Sequence, residues 1–110
     1  MLLKIGRHLR PKPQYKVIIS REEGENRYLS GYKHSYTTIR TLSHRGPVAL
    51  VDGDPSSEDL MFAARITARY SQGRDSKKVL VSMSTPGEPE KTEYSVEPLP
   101  SDEILMSWHV

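Results

Sequence analysis

Short runs of apolar and β-branched residues recur along the chain and predict an antiparallel sheet. The runs fall at residues 3–10, 15–20, 36–42, 48–51, 79–83 and 91–97. Residues 36–42 alternate between two faces, whereas 48–51 are continuously apolar, which is typical of a central strand. Pro11 and Pro13 predict a connector between the first two strands, because proline cannot donate to a ladder. A turn at 86–89 predicts a second hairpin.

A helical period replaces the strand pattern in residues 56–72 and predicts the main helix. Small residues form one stripe and larger ones an adjacent stripe, so this helix should lie flat on the sheet. The small stripe contains Leu60, Ala63, Ala64, Thr67, Ala68 and Ser71, and the larger one Phe62, Ile66 and Tyr70. Tyr70 is expected to be a core residue. Residues 21–32 predict a short second helix that ends at Gly31.

Two capping patterns fit the start of the main helix. One places Asp54 at the cap and Pro55 at the first helical position, and the other pairs Ser56 with Asp59. Both give the same helix. Gly73 is expected to end it in the left-handed conformation that glycine adopts at low cost.

These elements predict one α+β domain over residues 1–110. It should be compact, with a mostly antiparallel sheet of five to six strands, one main helix packed on the sheet and one short helix. Residues 98–110 form a proline-bounded tail in which one helical turn or an extended docking segment is expected. No run approaches the roughly 20 apolar residues of a membrane span. With no cysteine for disulfides or thiolate ligands, a cytoplasmic location is expected.

Charge is unevenly divided between the two halves of the chain. Residues 1–50 carry ten basic and three acidic residues, and 51–110 carry six and eleven, for a net charge of +2. A basic half is typical of a surface that contacts phosphates, because neutralised phosphates release counterions. Solvated strand faces explain the same imbalance about equally well.

Motifs for catalysis or metal binding are missing. Neither a Gly-x-x-x-x-Gly-Lys loop nor a Gly-x-Gly-x-x-Gly fingerprint occurs, and no two of the four histidines stand four residues apart. Asp52 and Asp54 lie in a turn sequence more typical of a helix cap than of an acid pair. We therefore predict no catalytic residue, no metal and no cofactor.

The remaining candidate chemistry is a set of basic residues with tyrosines among them. Arg65 and Arg69 lie one helical turn apart, where like charges repel by about 0.2–0.5 kcal/mol, so an anionic partner would relieve them. The helix dipole would also stabilise each by about 0.3–1 kcal/mol without any ligand. We predict an RNA-binding set, in which His8 adds a hydrogen bond or a stacking contact, of Arg7, His8, Arg10, Arg65, Arg69, Arg74, Lys77 and Lys78.

Four segments, in order along the chain, resemble the RNA-binding domain of the NFACT proteins. They are Gly6-Arg7-His8-Leu9-Arg10, residues 17–26 (VIISREEGEN), residues 46–50 (GPVAL) and residues 63–71 (AARITARYS). The similarity is greatest to the variant appended to PP-loop tRNA thiolation enzymes related to ThiI and MnmA. Leu9 and Ser20 stand where that variant usually has phenylalanine and glycine.

The resemblance implies a non-catalytic α+β module that binds structured RNA such as tRNA. It also implies a link to tRNA thiolation or to ribosome quality control, with any catalysis supplied by a separate PP-loop tRNA sulfurtransferase. Two alternatives stay open at this point. One is a protein-interaction adaptor for a tRNA-modifying enzyme without direct RNA contact, and the other is a small enzyme that uses His8 or Asp52.

Overall fold

A computed structural model describes residues 5–110, so the part of the predicted first strand at residues 3–4 lies outside the described residues. Six strands and two α-helices follow in the order predicted: β1 (Arg7–Lys12), β2 (Tyr15–Ile19), α1 (Glu23–Ser30), β3 (Thr37–Thr41), β4 (Val48–Gly53), α2 (Ser57–Arg69), β5 (Val79–Ser84) and β6 (Thr92–Val96). Two 3-10 helices, Ser101–Glu103 and Met106–Trp108, lie in the tail. The α+β prediction is confirmed.

All six strands belong to one antiparallel sheet with the order β1-β2-β4-β3-β5-β6. Strand pairing sorts side chains onto two faces, because directly opposed residues share a face. The row of Leu9, Val17 and Val51 belongs to the main core, which packs under α2. The neighbouring row contains Ile18 and Leu50, which form a smaller core with α1 on the opposite face.

The main helix starts at the second of the two predicted caps. The Ser56 hydroxyl accepts a hydrogen bond from the Asp59 backbone N–H at 3.1 Å, and Asp59 Oδ2 accepts one from the Ser56 N–H at 2.9 Å. Lys12 Nζ lies 2.9 Å from Asp59 Oδ1. The backbone bond from Ser56 and then the Lys12 contact lower the pKa of Asp59 to about 2. The capping box therefore also ties the β1–β2 hairpin to α2.

The predicted proline connector is right for Pro13, which lies in the turn between β1 and β2, and wrong for Pro11. β1 continues through Pro11 to Lys12, and its pairing with β2 shifts register between Leu9 and Lys12. This bulge interrupts the ladder where Pro11 stands, so the missing proline N–H costs no ladder bond. The β1–β2 hairpin itself is confirmed.

The predicted role of Gly73 is also wrong. The helix ends at Arg69 with Tyr70 at its cap, and Gly73 does not have a positive φ. A Cβ on Gly73 would lie 2.7 Å from His44 Cγ and 2.8 Å from Val79 Cγ2. Gly73 is therefore required for close packing after the helix. The short helix α1 does end at Gly31, as predicted.

The tail docks on the main core. Trp108 contacts Phe62 of α2 edge to face, with 5.8 Å between ring centroids. His109 forms an isolated bridge with Leu9 of β1. The 3-10 helices correspond to the helical turn, which is the first of the two conformations predicted for the tail. Neither α-helix of residues 5–110 has the length and hydropathy needed to cross a bilayer.

Candidate nucleic-acid interface

A polar cleft of about 280 Å³ opens at one end of the sheet, where β2 ends, β4 begins and α2 ends. Three of the four segments that carry the family resemblance meet here. The cleft is lined by Ser20, Arg21, Glu22, Glu23, Asn26, Arg45, Gly46, Pro47, Tyr70, Ser71, Gln72 and Arg74.

One wall of the cleft is braced by Glu25 of α1. Its carboxylate accepts bonds from the Nε and Nη2 of Arg21 at 3.2 and 2.9 Å and from the Arg21 backbone N–H at 2.7 Å. The Gly6 N–H donates to the same carboxylate at 3.2 Å. These bonds, led by that of the Arg21 side chain, lower the pKa of Glu25 to about 2. Glu25 thus joins the start of β1 to the start of α1.

Replacing Glu25 by glutamine should destabilise the fold by about 2–3 kcal/mol at pH 7, because it removes a carboxylate that holds three donor groups. A carboxyl with a folded pKa near 2 and an unfolded pKa of about 4.3 stabilises fully above pH 4.3. That stabilisation is lost as pH falls toward 2. Urea unfolding of both proteins at several pH values should therefore show their difference shrinking below pH 4.3.

The matched control is Glu23→Gln, on the exposed side of the same helix turn. It should cost no more than about 1 kcal/mol, the range of a helix-dipole contact. If the free energy of unfolding of the Glu25→Gln protein decreased with falling pH in parallel with that of the wild type, the assigned role of Glu25 would be contradicted.

The opposite wall depends on close packing between the 45–47 loop and the end of α2. A Cβ on Gly46 would lie 2.6 Å from Ser71 Cβ and 2.6 Å from Thr41 Oγ1, so only glycine fits without displacement. The Gln72 N–H donates to the Arg45 carbonyl at 2.7 Å. These contacts place Arg45 on the cleft. They also bring together two of the segments that carry the family resemblance, 46–50 and 63–71.

Arg7 lies beside the cleft through a contact with Tyr70. The Arg7 guanidinium carbon is 4.7 Å from the centroid of the Tyr70 ring, which is a cation–π geometry. Tyr70 is half-buried and packs against the main core, as predicted, and its ring also lines the cleft. Arg7 and the end of α2, far apart in sequence, are therefore brought together.

His8 and Arg10 do not join Arg7. His8 pairs with Ile18 and so faces the α1 side of the sheet. Its Nε2–H donates to the Ile5 carbonyl at 3.0 Å, and burial lowers the pKa of the imidazole, with Lys16 adding to the effect. Arg10 lies toward the other end of β1, where Nη1 donates to the Pro13 carbonyl at 2.9 Å.

Arg65 and Arg69 bind backbone carbonyls of the segment that follows β6. Arg65 Nε donates to the Glu97 carbonyl at 2.9 Å, and Arg69 Nε donates to the Leu99 carbonyl at 2.6 Å. Arg69 Nη2 also donates to the Arg74 carbonyl at 2.8 Å. Both side chains therefore stabilise the fold, in addition to any contact their remaining N–H groups make.

Arg74, Lys77 and Lys78 lie on the exposed loop between α2 and β5. Arg74 reaches the cleft, and the two lysines follow it along the same loop. Within residues 5–110 the two ion pairs are Lys12–Asp59 and Arg21–Glu25, so none of these three cations is neutralised by a salt bridge. Their charge is available to an anionic partner.

Two cationic residues on the cleft, Arg21 and Arg45, are absent from the predicted set. Arg21 lies within a segment that carries the family resemblance, and Arg45 directly precedes another. These positions, within or directly beside the segments, are the signal in the sequence that could have identified the two arginines. Their place on the cleft follows from strand order and from the packing at Gly46, which residue spacing does not express.

Comparisons with known proteins bear on the family and on the fold of this chain. A family model described as "NFACT protein RNA binding domain" matches residues 6–109. A search of curated proteins finds no significant match. Among solved structures, the C-terminal part of the fibronectin/fibrinogen-binding protein from Streptococcus suis superposes with a TM-score of 0.75 at 20% identity. That match covers 96% of this chain and 49% of the other, and it shows a shared fold. Because the family model spans nearly the whole sequence, the chain belongs to the NFACT RNA-binding domain family.

Proposed function

We propose that this domain binds tRNA through phosphate contacts made at the end of the sheet. The observation that carries the proposal is the convergence of cations from three separate segments on one cleft and on the loop beside it. They are Arg7, Arg45, Arg74, Lys77 and Lys78. Membership of an RNA-binding family supports RNA as the partner. The tertiary fold of tRNA brings phosphates from separate strands close together, and such a cluster suits cations drawn from separate loops.

The proposed cellular role is non-catalytic. The segments at 6–10, 17–26, 46–50 and 63–71 resemble the variant appended to PP-loop tRNA thiolation enzymes, which supports a role in presenting tRNA to such a sulfurtransferase. Ribosome quality control is the other setting that the family resemblance supports. Both roles belong to the cytoplasm. The chain spans 49% of the related solved chain, so a role within a longer assembly is in keeping with its size.

The test is a binding titration of the purified domain with total tRNA across a salt series. Five neutralised phosphates predict a log-log salt slope of about −3.5 to −4.5, between the single-strand and duplex coefficients. Fluorescence anisotropy of labelled tRNA measures the affinity at each salt concentration. If the domain did not raise the anisotropy of labelled tRNA at low salt, the proposal would be refuted. Co-elution with a thiolation enzyme that survives nuclease, without any RNA binding, would instead support an adaptor.

A further inference from the structure

Within residues 5–110, α1 covers only part of the sheet face opposite α2. There α1 packs over Ile18, Val48 and Leu50 of β2 and β4. The same face continues across β3 and β5, where Thr38 pairs with Ser84 and Arg40 pairs with Ser82. These side chains are polar, and they leave a groove beside α1.

The groove has a volume of about 170 Å³ and is lined by Lys33, Thr38, Arg40, Ser82, Ser84 and Lys91. Three cations from three separate segments thus face three hydroxyl groups, and no residue that lines the groove within residues 5–110 carries a carboxylate. The Arg40 Nη2 donates to the Ser30 hydroxyl of α1, which orients the guanidinium. Neither ion pair within residues 5–110 involves the three cations. Ammonium, guanidinium and hydroxyl donors in this arrangement match the oxygens of a phosphate.

A ladder of tyrosines lies directly beside the groove. The Tyr28 and Tyr32 rings are 5.5 Å apart and those of Tyr32 and Tyr36 are 6.3 Å apart, each pair tilted. Tyr32 and Tyr36 pack on the smaller core, whereas Tyr28 is 39% exposed at the outer end. Lys33 follows Tyr32 in sequence, and the Thr38 hydroxyl donates to the Tyr36 carbonyl. The groove therefore adjoins the inner part of the ladder, and Tyr28 lies at its outer end.

We propose that this surface binds a short unpaired RNA segment, with a phosphate in the groove and a base on the exposed Tyr28 ring. The inference rests on the proposed function and adds a second contact to it. The end-of-sheet cleft lies at the start of α1, and the groove lies beyond the end of that helix. A base within a duplex has no accessible ring face, so stacking here selects single-stranded RNA. The domain would therefore hold a structured body in the cleft and an adjoining unpaired segment in the groove.

Two fluorescent RNA probes test the inference: a blunt hairpin, and the same hairpin with a single-stranded extension of four adenosines. Wild-type domain should bind the extended probe about five- to tenfold more tightly, the lower part of the range for stacking of one base. The Lys33→Ala/Lys91→Ala protein should lose most of that preference while binding the blunt hairpin as the wild type does. Tyr28→Leu should also lose it, and Tyr28→Phe should keep it.

Glu93 provides a control of opposite sign. It pairs with Ser82 across β5 and β6 and so faces the groove side, where its charge repels a phosphate. Glu93→Gln should therefore tighten the extended probe about twofold and leave the blunt hairpin unchanged. Equal binding of the two probes by the wild type, or an unchanged preference in the lysine variant, would overturn the inference and leave the cleft proposal standing. Failure of the wild type to bind either hairpin would overturn the inference, and failure to bind total tRNA as well would overturn the proposed function.

Discussion

Replacing Arg45 and Arg74 together by alanine should weaken tRNA binding about ten- to a hundredfold at low salt. Both side chains line the end-of-sheet cleft, and neither takes part in the ion pairs of residues 5–110. Each removed phosphate contact costs about 0.7–1.4 kcal/mol, which for two contacts converts to the stated range. The log-log salt slope should also fall by about 1.4–1.8, because two phosphates are no longer neutralised. Anisotropy titrations across the salt series measure both quantities.

Arg10→Ala is the matched control for the single variants Arg45→Ala and Arg74→Ala. It removes the same charge from the other end of β1, where the side chain contacts only its own hairpin turn among residues 5–110. It should change the tRNA affinity less than twofold. An Arg10→Ala loss equal to that of Arg74→Ala would show that binding follows net charge, and the cleft would then not be the site. The same titration decides whether Arg10 belongs to the RNA-binding set.

Local patterns in the sequence predict the elements well, because the forces that decide them act between near neighbours. The alternation of residues 36–42 and the apolar run at 48–51 correspond to β3 and β4. The capping box at Ser56 depends on a residue three positions away. The prediction at Pro11 is wrong because the deciding feature is not local. A bulge depends on how two strands pair, and that pairing is a property of the sheet.

The candidate interface could be predicted only in part, because it depends on tertiary order. Arg7 and His8 are adjacent in sequence, yet strand geometry sends them to opposite faces of the sheet. Arg7 reaches Tyr70 because the start of β1 and the end of α2 lie at the same end of the sheet. The groove on the other face is formed by Lys33, Arg40 and Lys91, which share no motif and no spacing. The pairing of β3 with β5, and of β5 with β6, brings them together.

Replacing Arg69 by alanine should produce the largest loss of stability among the predicted binding residues. Its guanidinium holds the Leu99 and Arg74 carbonyls at 2.6 and 2.8 Å, and Leu99 is fully buried. Removal leaves at least one buried acceptor without its partner, at a cost of about 2–3 kcal/mol. For a domain of this size the melting temperature should fall by roughly 8 °C or more. Thermal unfolding followed by circular dichroism measures it.

Two further variants separate this structural role from RNA contact. Arg65→Ala loses one carbonyl contact, with Glu97, and should cost about 1 kcal/mol. Arg69→Lys keeps the charge but not the planar fork, so it should remain destabilised while its salt slope for tRNA stays at the wild-type value. If Arg69 also neutralises a phosphate, Arg69→Ala alone should lower that slope by about 0.7–0.9, measured well below its melting temperature. An unchanged melting temperature in Arg69→Ala would contradict the structural role. In that case RNA, and not the carbonyls of the chain, would relieve the repulsion between Arg65 and Arg69.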